Sequence, residues 1–216
     1  MKKIKDHSLY LLISEEYGRG RSILEIAKAA IAGGVDIIQL REKKIPKGDL
    51  INVAGPLSAL CKKKNVTFII NDDPILAKEV DADGVHLGQK DLKLFKVNEA
   101  RSIVGRDKII GVSASSIKDV EEANEQDINY IGFGPVFPTV IKDKCAGTKD
   151  VEKVLEISTK PVFFIGGINL INIDELLAKG AQNVAVIRAI LEADDVMAAA
   201  KALKERLNRQ KNGKIA

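Results

Sequence analysis

Short, nearly uninterrupted apolar runs alternate along the whole chain with longer segments in which apolar residues recur at helical spacing. The first run, Leu9-Tyr10-Leu11-Leu12-Ile13, reads as a strand buried on both faces. Residues 22–32 then place Ile23, Ile26, Ala27 and Ala30 on one helical face and stop at Gly33-Gly34, a helix-ending signal. A strand at 36–40 follows, then a helix over 47–64 that Gly55-Pro56 is expected to kink or split. Val66-Thr67-Phe68-Ile69-Ile70 returns to the strand pattern. The alternation goes on through helix 74–80, strand 84–88, helix 93–104, strand 108–113, helix 116–125 and strand 130–136. Helix 150–158, strand 161–166, helix 172–179, strand 183–189 and helix 194–210 complete it.

Eight strands and eight helices in strict alternation, at roughly 27 residues per unit, most simply close into an α/β fold of the (β/α)8 TIM-barrel type. A doubly wound open sheet is the alternative, but no G-x-G-x-x-G follows the first strand. Without a Pro/Ser-rich linker or a break in composition, residues 1–216 read as a single domain ending in a basic helix and tail at about 194–216.

The composition, 45% hydrophobic and 30% charged, excludes a disordered chain, a collagen and a coiled coil. The longest apolar run, at 162–168, is too short to span a bilayer. The net charge of +4 is local: residues 201–216 carry six bases against one acid, +5, which leaves the other 200 residues at −1. With 4% aromatics and no Trp there is little to stack on bases, so no nucleic-acid partner and no membrane is expected. Cys61 and Cys145 stand 84 positions apart without metal-like spacing, and no apolar segment of signal-peptide length follows the basic start. A cytoplasmic location is the expectation.

A barrel of this type carries its chemistry at the C-terminal ends of its strands. Those ends hold Gln39-Leu40-Arg41-Glu42-Lys43, then Asn71-Asp72-Asp73, then His86-Leu87-Gly88-Gln89-Lys90-Asp91. Ser113-Ala114-Ser115-Ser116 comes next, followed by the run from Gly132 to Thr139 with Lys142 beyond it. The last two are Gly166-Gly167-Ile168-Asn169 and Ile187-Arg188. Arg41, Lys43 and Lys142 beside the carboxylates Asp72 and Asp91 suit a polyphosphate held with Mg²⁺, a cation that prefers carboxylate and phosphate oxygens. Gly166-Gly167 lets the backbone approach an anion closely, and with the eighth strand it matches the phosphate cradle of many barrels. Two anion sites follow, one for a metal-bound diphosphate and one for a monophosphate.

Each residue also has a plainer reading. Arg41 and Lys43 beside Glu42 could be a solvated loop, Asp72 or Asp73 could cap the helix before Pro74, and Asp91 could cap the one after it. His86 is as readily a core residue as a site residue. Cys61 and Cys145 read as passengers and His7 as surface.

Taken in order, the segments Gln39-Leu40-Arg41-Glu42-Lys43, Ile70-Asn71-Asp72, Asp83-Gly84-Val85-His86-Leu87-Gly88-Gln89 with Asp91, Gly111-Val112-Ser113, the run from Tyr130 to Thr139, and Gly166-Gly167-Ile168 resemble the thiamine phosphate synthase family and its sister group, the thiazole tautomerases. The resemblance runs from about Leu9 to Leu191. It implies condensation of hydroxymethylpyrimidine diphosphate with hydroxyethylthiazole phosphate, with loss of pyrophosphate. On that resemblance Arg41 and Lys43 bind the diphosphate with help from Asn71, Ser113 and Lys142, Asp72 and Asp91 hold Mg²⁺, and Gln39 contacts the pyrimidine. Thr139, the Gly167 backbone and the strand end Ile187-Arg188 correspond to the thiazole-phosphate pocket. No protein nucleophile is implied; Arg41, Lys43 and Lys142 stabilise the charge growing on the leaving group.

Three positions depart from the family pattern. Asp73 stands where an Arg is common, Ile141 where a second Thr precedes the loop lysine, and Arg188 where a Ser is typical. Arg188 either adds a fork of donors to the phosphate pocket or fills it with bulk. The tautomerase reading is weakened because its catalytic His would fall near Ser115 and residues 113–116 contain none. A non-catalytic barrel binding a phosphorylated ligand is the third reading. The segment 140–148 is a candidate lid, and a homo-oligomer is the expected assembly.

Overall fold

A computed structural model describes residues 2–42, 44–89, 95–139 and 147–211, with eight parallel strands closed into one barrel in sequence order. The strands are β1 (Leu9–Ile13), β2 (Ile37–Leu40), β3 (Thr67–Asn71), β4 (Gly84–Leu87), β5 (Ile109–Ala114), β6 (Tyr130–Phe133), β7 (Val162–Ile165) and β8 (Asn183–Val186). Closure is made by β1 against β8, with Leu9, Tyr10 and Leu11 opposite Val184, Ala185 and Val186. The outer ring is formed by α1 (Ile23–Ala32), α2 (Lys47–Lys64), α3 (Pro74–Glu79), α4 (Val97–Val104), α5 (Ile117–Asn124), α6 (Val151–Ile157), α7 (Ile173–Ala178), α8 (Arg188–Leu191) and α9 (Val196–Lys211).

The two-residue period of a strand splits the apolar residues into two cores. Leu9, Leu11 and Ile13 of β1, like Ile38 and Leu40 of β2, pack outward into the large layer beneath the helices. Tyr10, Leu12, Ile37, Ile69, Ile109, Tyr130, Phe163 and Ala185 form the second cluster, inside the barrel. There the rings of Tyr10, Tyr130 and Phe163 meet edge-on, with centroids 5.2 to 5.9 Å apart, a geometry that sets the positive ring edge against a negative face. The same alternation turns Gln39, Asn71, His86 and Ser113 inward, one layer nearer the C-terminal mouth.

Local signals explain the helix limits. Ser22 and Glu25 bond reciprocally across the first turn of α1. Asn65, in the left-handed conformation with φ 53°, ends α2. Four departures from the sequence reading have local causes. Helix α2 runs unbroken through Pro56; the ring removes one backbone donor, and the turns on either side hold. Helix α4 begins at Val97, where the Lys96 N–H is taken by Glu99 Oε2 at 2.9 Å. Strand β6 stops at Phe133, before Gly134-Pro135, because a proline cannot donate to the ladder. The eighth strand stops at Val186, and Ile187 leads into the single turn α8 before α9.

Helix α9 accounts for much of the basic C-terminal charge. Lys204 Nζ reaches Asp36 Oδ2 at 2.7 Å and the His7 carbonyl at 2.8 Å, and Arg206 pairs with Asp174. His7 is half-buried rather than fully on the surface. Cys61 is fully buried, and burial pushes its thiol up to about 12, so it is inert packing.

Gly111 lies beneath the Tyr130 ring, and a Cβ there would stand 2.0 Å from Cζ. Gly111→Ala should therefore displace Tyr130 and lower stability by about 1–3 kcal/mol. Urea unfolding of the two proteins checks this, and an unchanged midpoint would show that the ring can move aside freely.

Candidate functional site

The mouth of the barrel is built by the inward residue nearest the C-terminal end of each strand and by the loop that follows. Gln39 is buried between β1 and β3; its Nε2 donates to the Tyr10 hydroxyl at 2.6 Å, and its Oε1 is buried with no partner among the described residues. An unpaired buried carbonyl oxygen is costly, on the order of 1–3 kcal/mol, and marks where an outside donor would be accepted. Arg41 follows β2 directly, its backbone N–H bonded to the Ile13 carbonyl at 3.0 Å. Its charge reaches His86 across the mouth.

Asp72 and Asp73 have different jobs. Asp73 caps α3, its Oδ1 accepting from the N–H groups of Ile75 at 3.1 Å and Leu76 at 2.9 Å, with Pro74 in the first turn. Asp72 is not the cap. It sits at φ 63°, in the left-handed region, and donates its N–H to the His86 carbonyl. Its Oδ1 accepts from the Gly88 N–H at 3.0 Å, and its Oδ2 accepts from Asn71 Nδ2. The carboxylate is thus fixed between the β3 and β4 loops instead of over the helix.

His86 is buried and lies against two other polar side chains of the barrel interior. It stacks on Tyr130 at 5.5 Å, with Nδ1 2.9 Å from the Tyr130 hydroxyl and Nε2 3.0 Å from Ser113 Oγ. A Cβ on Gly132 would come within 3.2 Å of its Cε1, so the glycine leaves room for the ring. Burial, reinforced by the positive charge of Arg41, pulls the imidazole down to about 4. Gln89 Nε2 donates to the Ser113 carbonyl at 2.9 Å and ties the β4 loop to the end of β5.

On the opposite side of the mouth, Gly166 and Gly167 have φ of 104° and 66°. A Cβ on Gly167 would strike the Pro138 carbonyl at 2.6 Å, so the β6 and β7 loops lie against each other at a distance only glycine permits. Asn172 Nδ2 holds the Gly167 carbonyl at 2.9 Å. Thr139 and Ile187 are half-buried nearby in sequence to these loops. Arg188 lies on the exposed side of α8 with its Nε on Glu192 Oε1 at 2.6 Å, so its bulk is directed along the helix rather than buried.

Gln39, Arg41, Asn71, Asp72, Ser113, Thr139, Gly167, Ile187 and Arg188 all stand at C-terminal strand ends or the loops after them. Lys43, Asp91 and Lys142, with most of the candidate lid, lie outside the described residues. Tyr10 and Tyr130 were missed in the sequence, where they read as apolar strand residues. The available signal was that the two-residue period puts each of them on the inward face.

The sequence profile of a family described as thiamine monophosphate synthase matches residues 9–190. A thiamine-phosphate synthase of Persephonella marina is 42% identical over 209 residues, 96% of this chain and 95% of that protein. One from Halalkalibacterium halodurans is 43% identical over 196 residues, 89% of this chain and 92% of its own length. Among solved structures, a thiamine phosphate pyrophosphorylase from Pyrococcus furiosus is similar with a TM-score of 0.85 at 32% identity, covering 94% of this chain and 96% of that one.

The depressed His86 has a consequence for stability. The folded state favours the neutral ring, whereas the unfolded chain protonates near 6.5, so this contribution is complete above pH 6.5 and is lost as pH falls toward 4. Between pH 7 and pH 4 the protein should lose on the order of 3 kcal/mol more stability than His86→Asn. Denaturant midpoints across that range would show it, and parallel slopes for the two proteins would remove the imidazole as the source.

Proposed function

The chain belongs to the thiamine monophosphate synthase family, and from that premise we propose that it joins hydroxymethylpyrimidine diphosphate to hydroxyethylthiazole phosphate, giving thiamine phosphate and pyrophosphate. One observation carries the reading at the level of side chains: Gln39 offers a buried, unpaired amide oxygen in the same mouth as Arg41, Asp72 and Ser113. An aminopyrimidine supplies the missing donor.

In the reaction, the bond between the pyrimidine methylene carbon and the diphosphate oxygen breaks, and its electrons leave with pyrophosphate. The thiazole nitrogen then gives its lone pair to the methylene carbon. Gln39 orients the pyrimidine by accepting from its amine. Arg41, with Lys43 and Lys142, offsets the charge that grows on the departing pyrophosphate, and Asn71 and Ser113 lie within the same rim. The loops carrying Thr139, Gly166 and Gly167, with Ile187 and Arg188 opening α8, would hold the thiazole phosphate.

Asp72 fits a hard divalent cation, since its carboxylate is fixed by the Gly88 N–H and Asn71 Nδ2 at the mouth. Among the described residues no group of three or more His, Cys, Asp or Glu gathers at one point. Mg²⁺ typically takes one or two carboxylates and completes its shell with water and substrate phosphates. Asp72 and Asp91 would hold it, and it would supply positive charge to the diphosphate oxygens. Among the described residues no helix is long and apolar enough to cross a membrane. A cytoplasmic location is proposed on the sparse thiols of the sequence, one of them the buried free Cys61.

Purified protein, both substrates and Mg²⁺ should give thiamine phosphate and pyrophosphate in equal amounts, and both should vanish on chelation. Pyrophosphate alone would place the departure in the thiazole half; neither product from folded protein would overturn the assignment. Asp72→Asn should lower turnover roughly 100-fold or more and raise the Mg²⁺ concentration needed for half-maximal rate. An unchanged Mg²⁺ requirement would remove Asp72 from the metal role.

A further inference from the structure

Five buried or half-buried side chains from five strands are joined end to end inside the barrel. Gln39 Nε2 is 2.6 Å from Tyr10 Oη, Tyr10 Oη is 2.9 Å from Tyr130 Oη, Tyr130 Oη is 2.9 Å from His86 Nδ1, and His86 Nε2 is 3.0 Å from Ser113 Oγ. We propose that this chain is a one-way hydrogen-bond relay whose direction is set by the Gln39 amide, so that the group the pyrimidine presents to Gln39 decides whether Ser113 offers the diphosphate a hydrogen or a lone pair. The proposal rests on the assignment of Gln39 to the pyrimidine and Ser113 to the diphosphate.

The direction follows from counting hydrogens. Gln39 Nε2 can only donate, so Tyr10 Oη accepts from it. The Tyr10 hydroxyl is buried and the amide nitrogen cannot accept its hydrogen, so the arrangement that leaves no buried phenol hydrogen unpaired sends it to Tyr130 Oη. One hydrogen fills the bond between the two phenols, so the Tyr130 hydrogen is left for His86 Nδ1. A neutral imidazole that accepts at Nδ1 carries its hydrogen on Nε2 and donates it to Ser113 Oγ. The Ser113 hydroxyl hydrogen therefore points away from the relay, and among the described residues it has no acceptor. An anionic oxygen is the partner it suits.

Turning the Gln39 amide over reverses every step. Oε1 would accept from Tyr10, each hydrogen would shift by one bond, and the Ser113 hydrogen would be drawn in toward His86 Nε2. The serine would then face the diphosphate with lone pairs, which repel it. A pyrimidine with an amine opposite Gln39 selects the first direction, and one with a carbonyl oxygen at that position selects the second. Discrimination between amino and oxo pyrimidines is thereby felt at the diphosphate as well as at the amide. Tyr10, Tyr130 and His86 are positioning residues in this arrangement.

The test is a double-mutant cycle on pyrophosphate release with the aminopyrimidine diphosphate, using Tyr130→Phe, Ser113→Ala and the double variant. Tyr130→Phe should lower kcat about tenfold and leave KM for the thiazole phosphate unchanged. The double variant should be no slower than Ser113→Ala alone, because the tyrosine acts through the serine. If the two losses multiply, Tyr130 is merely structural and the relay is overturned. If Tyr130→Phe does not fold, as read by its thermal melt, Tyr10→Phe breaks the relay one step earlier and carries the same cycle. Wild-type turnover is measured first: its absence would count against the assignment of function, whereas normal turnover with a multiplicative cycle counts against the relay alone.

Discussion

Closure of eight short parallel strands onto one another is the constraint from which the site follows. Once Leu9, Tyr10 and Leu11 pair with Val184, Ala185 and Val186, no strand has a free edge, and alternate side chains are committed to an interior too narrow to hold water freely. Tyr10, Tyr130 and Phe163 fill the middle of that interior with three rings meeting edge-on. They form an apolar floor. Any polar group above it must find a partner in the protein or in a ligand, because solvent reaches it only through the mouth.

That demand explains why the polar residues of the mouth form a connected set. Gln39, His86 and Ser113 come from β2, β4 and β5, and the two tyrosine hydroxyls link them across the barrel. The floor therefore serves twice: its rings pack the core, and their hydroxyls carry the hydrogen bonds that orient the amide and the imidazole. Burial keeps His86 neutral, which is the state in which it can accept on one side and donate on the other. Gln39 Oε1, unpaired among the described residues, lies at one end of this set. A network open at its two ends, an acceptor at Gln39 and a hydroxyl hydrogen at Ser113, is set for a ligand that fills both, and its rigidity limits the reorganisation needed on binding.

The loops divide the remaining work by backbone geometry. At the β3 end, two adjacent aspartates are separated by conformation: Asp73 extends and caps α3, while Asp72 turns into the left-handed region and faces the β4 loop. At the β7 end, Gly166 and Gly167 let one loop lie against another at a distance that excludes a Cβ. Arg188, at the place where the family pattern carries a small residue, is held along α8 by Glu192 and is exposed.

Much of this was legible along the chain. Apolar runs of four to six residues between helical stretches identify a parallel barrel, since both faces of every strand must be buried. A barrel presents its strand ends at one mouth, which is why the positions of Gln39, Arg41, Asn71, Asp72, Ser113 and Gly167 there could be foreseen. Patterning could not decide matters that depend on partners far away in sequence. The choice between Asp72 and Asp73 as the helix cap turned on one φ angle and on Gly88, 16 residues from Asp72. The continuity of α2 through Pro56 and the extra turn α8 depend on the packing around them. Tyr10 and Tyr130, 120 residues apart, look like ordinary apolar strand residues until closure brings their hydroxyls within 2.9 Å. Local periodicity and backbone preference act over a few residues, so the order of amino acids already sets which elements form and which side chains stand at the strand ends. Which polar groups find partners and which stay open depends instead on what the closed barrel brings opposite each of them, and so on contacts between residues far apart in sequence.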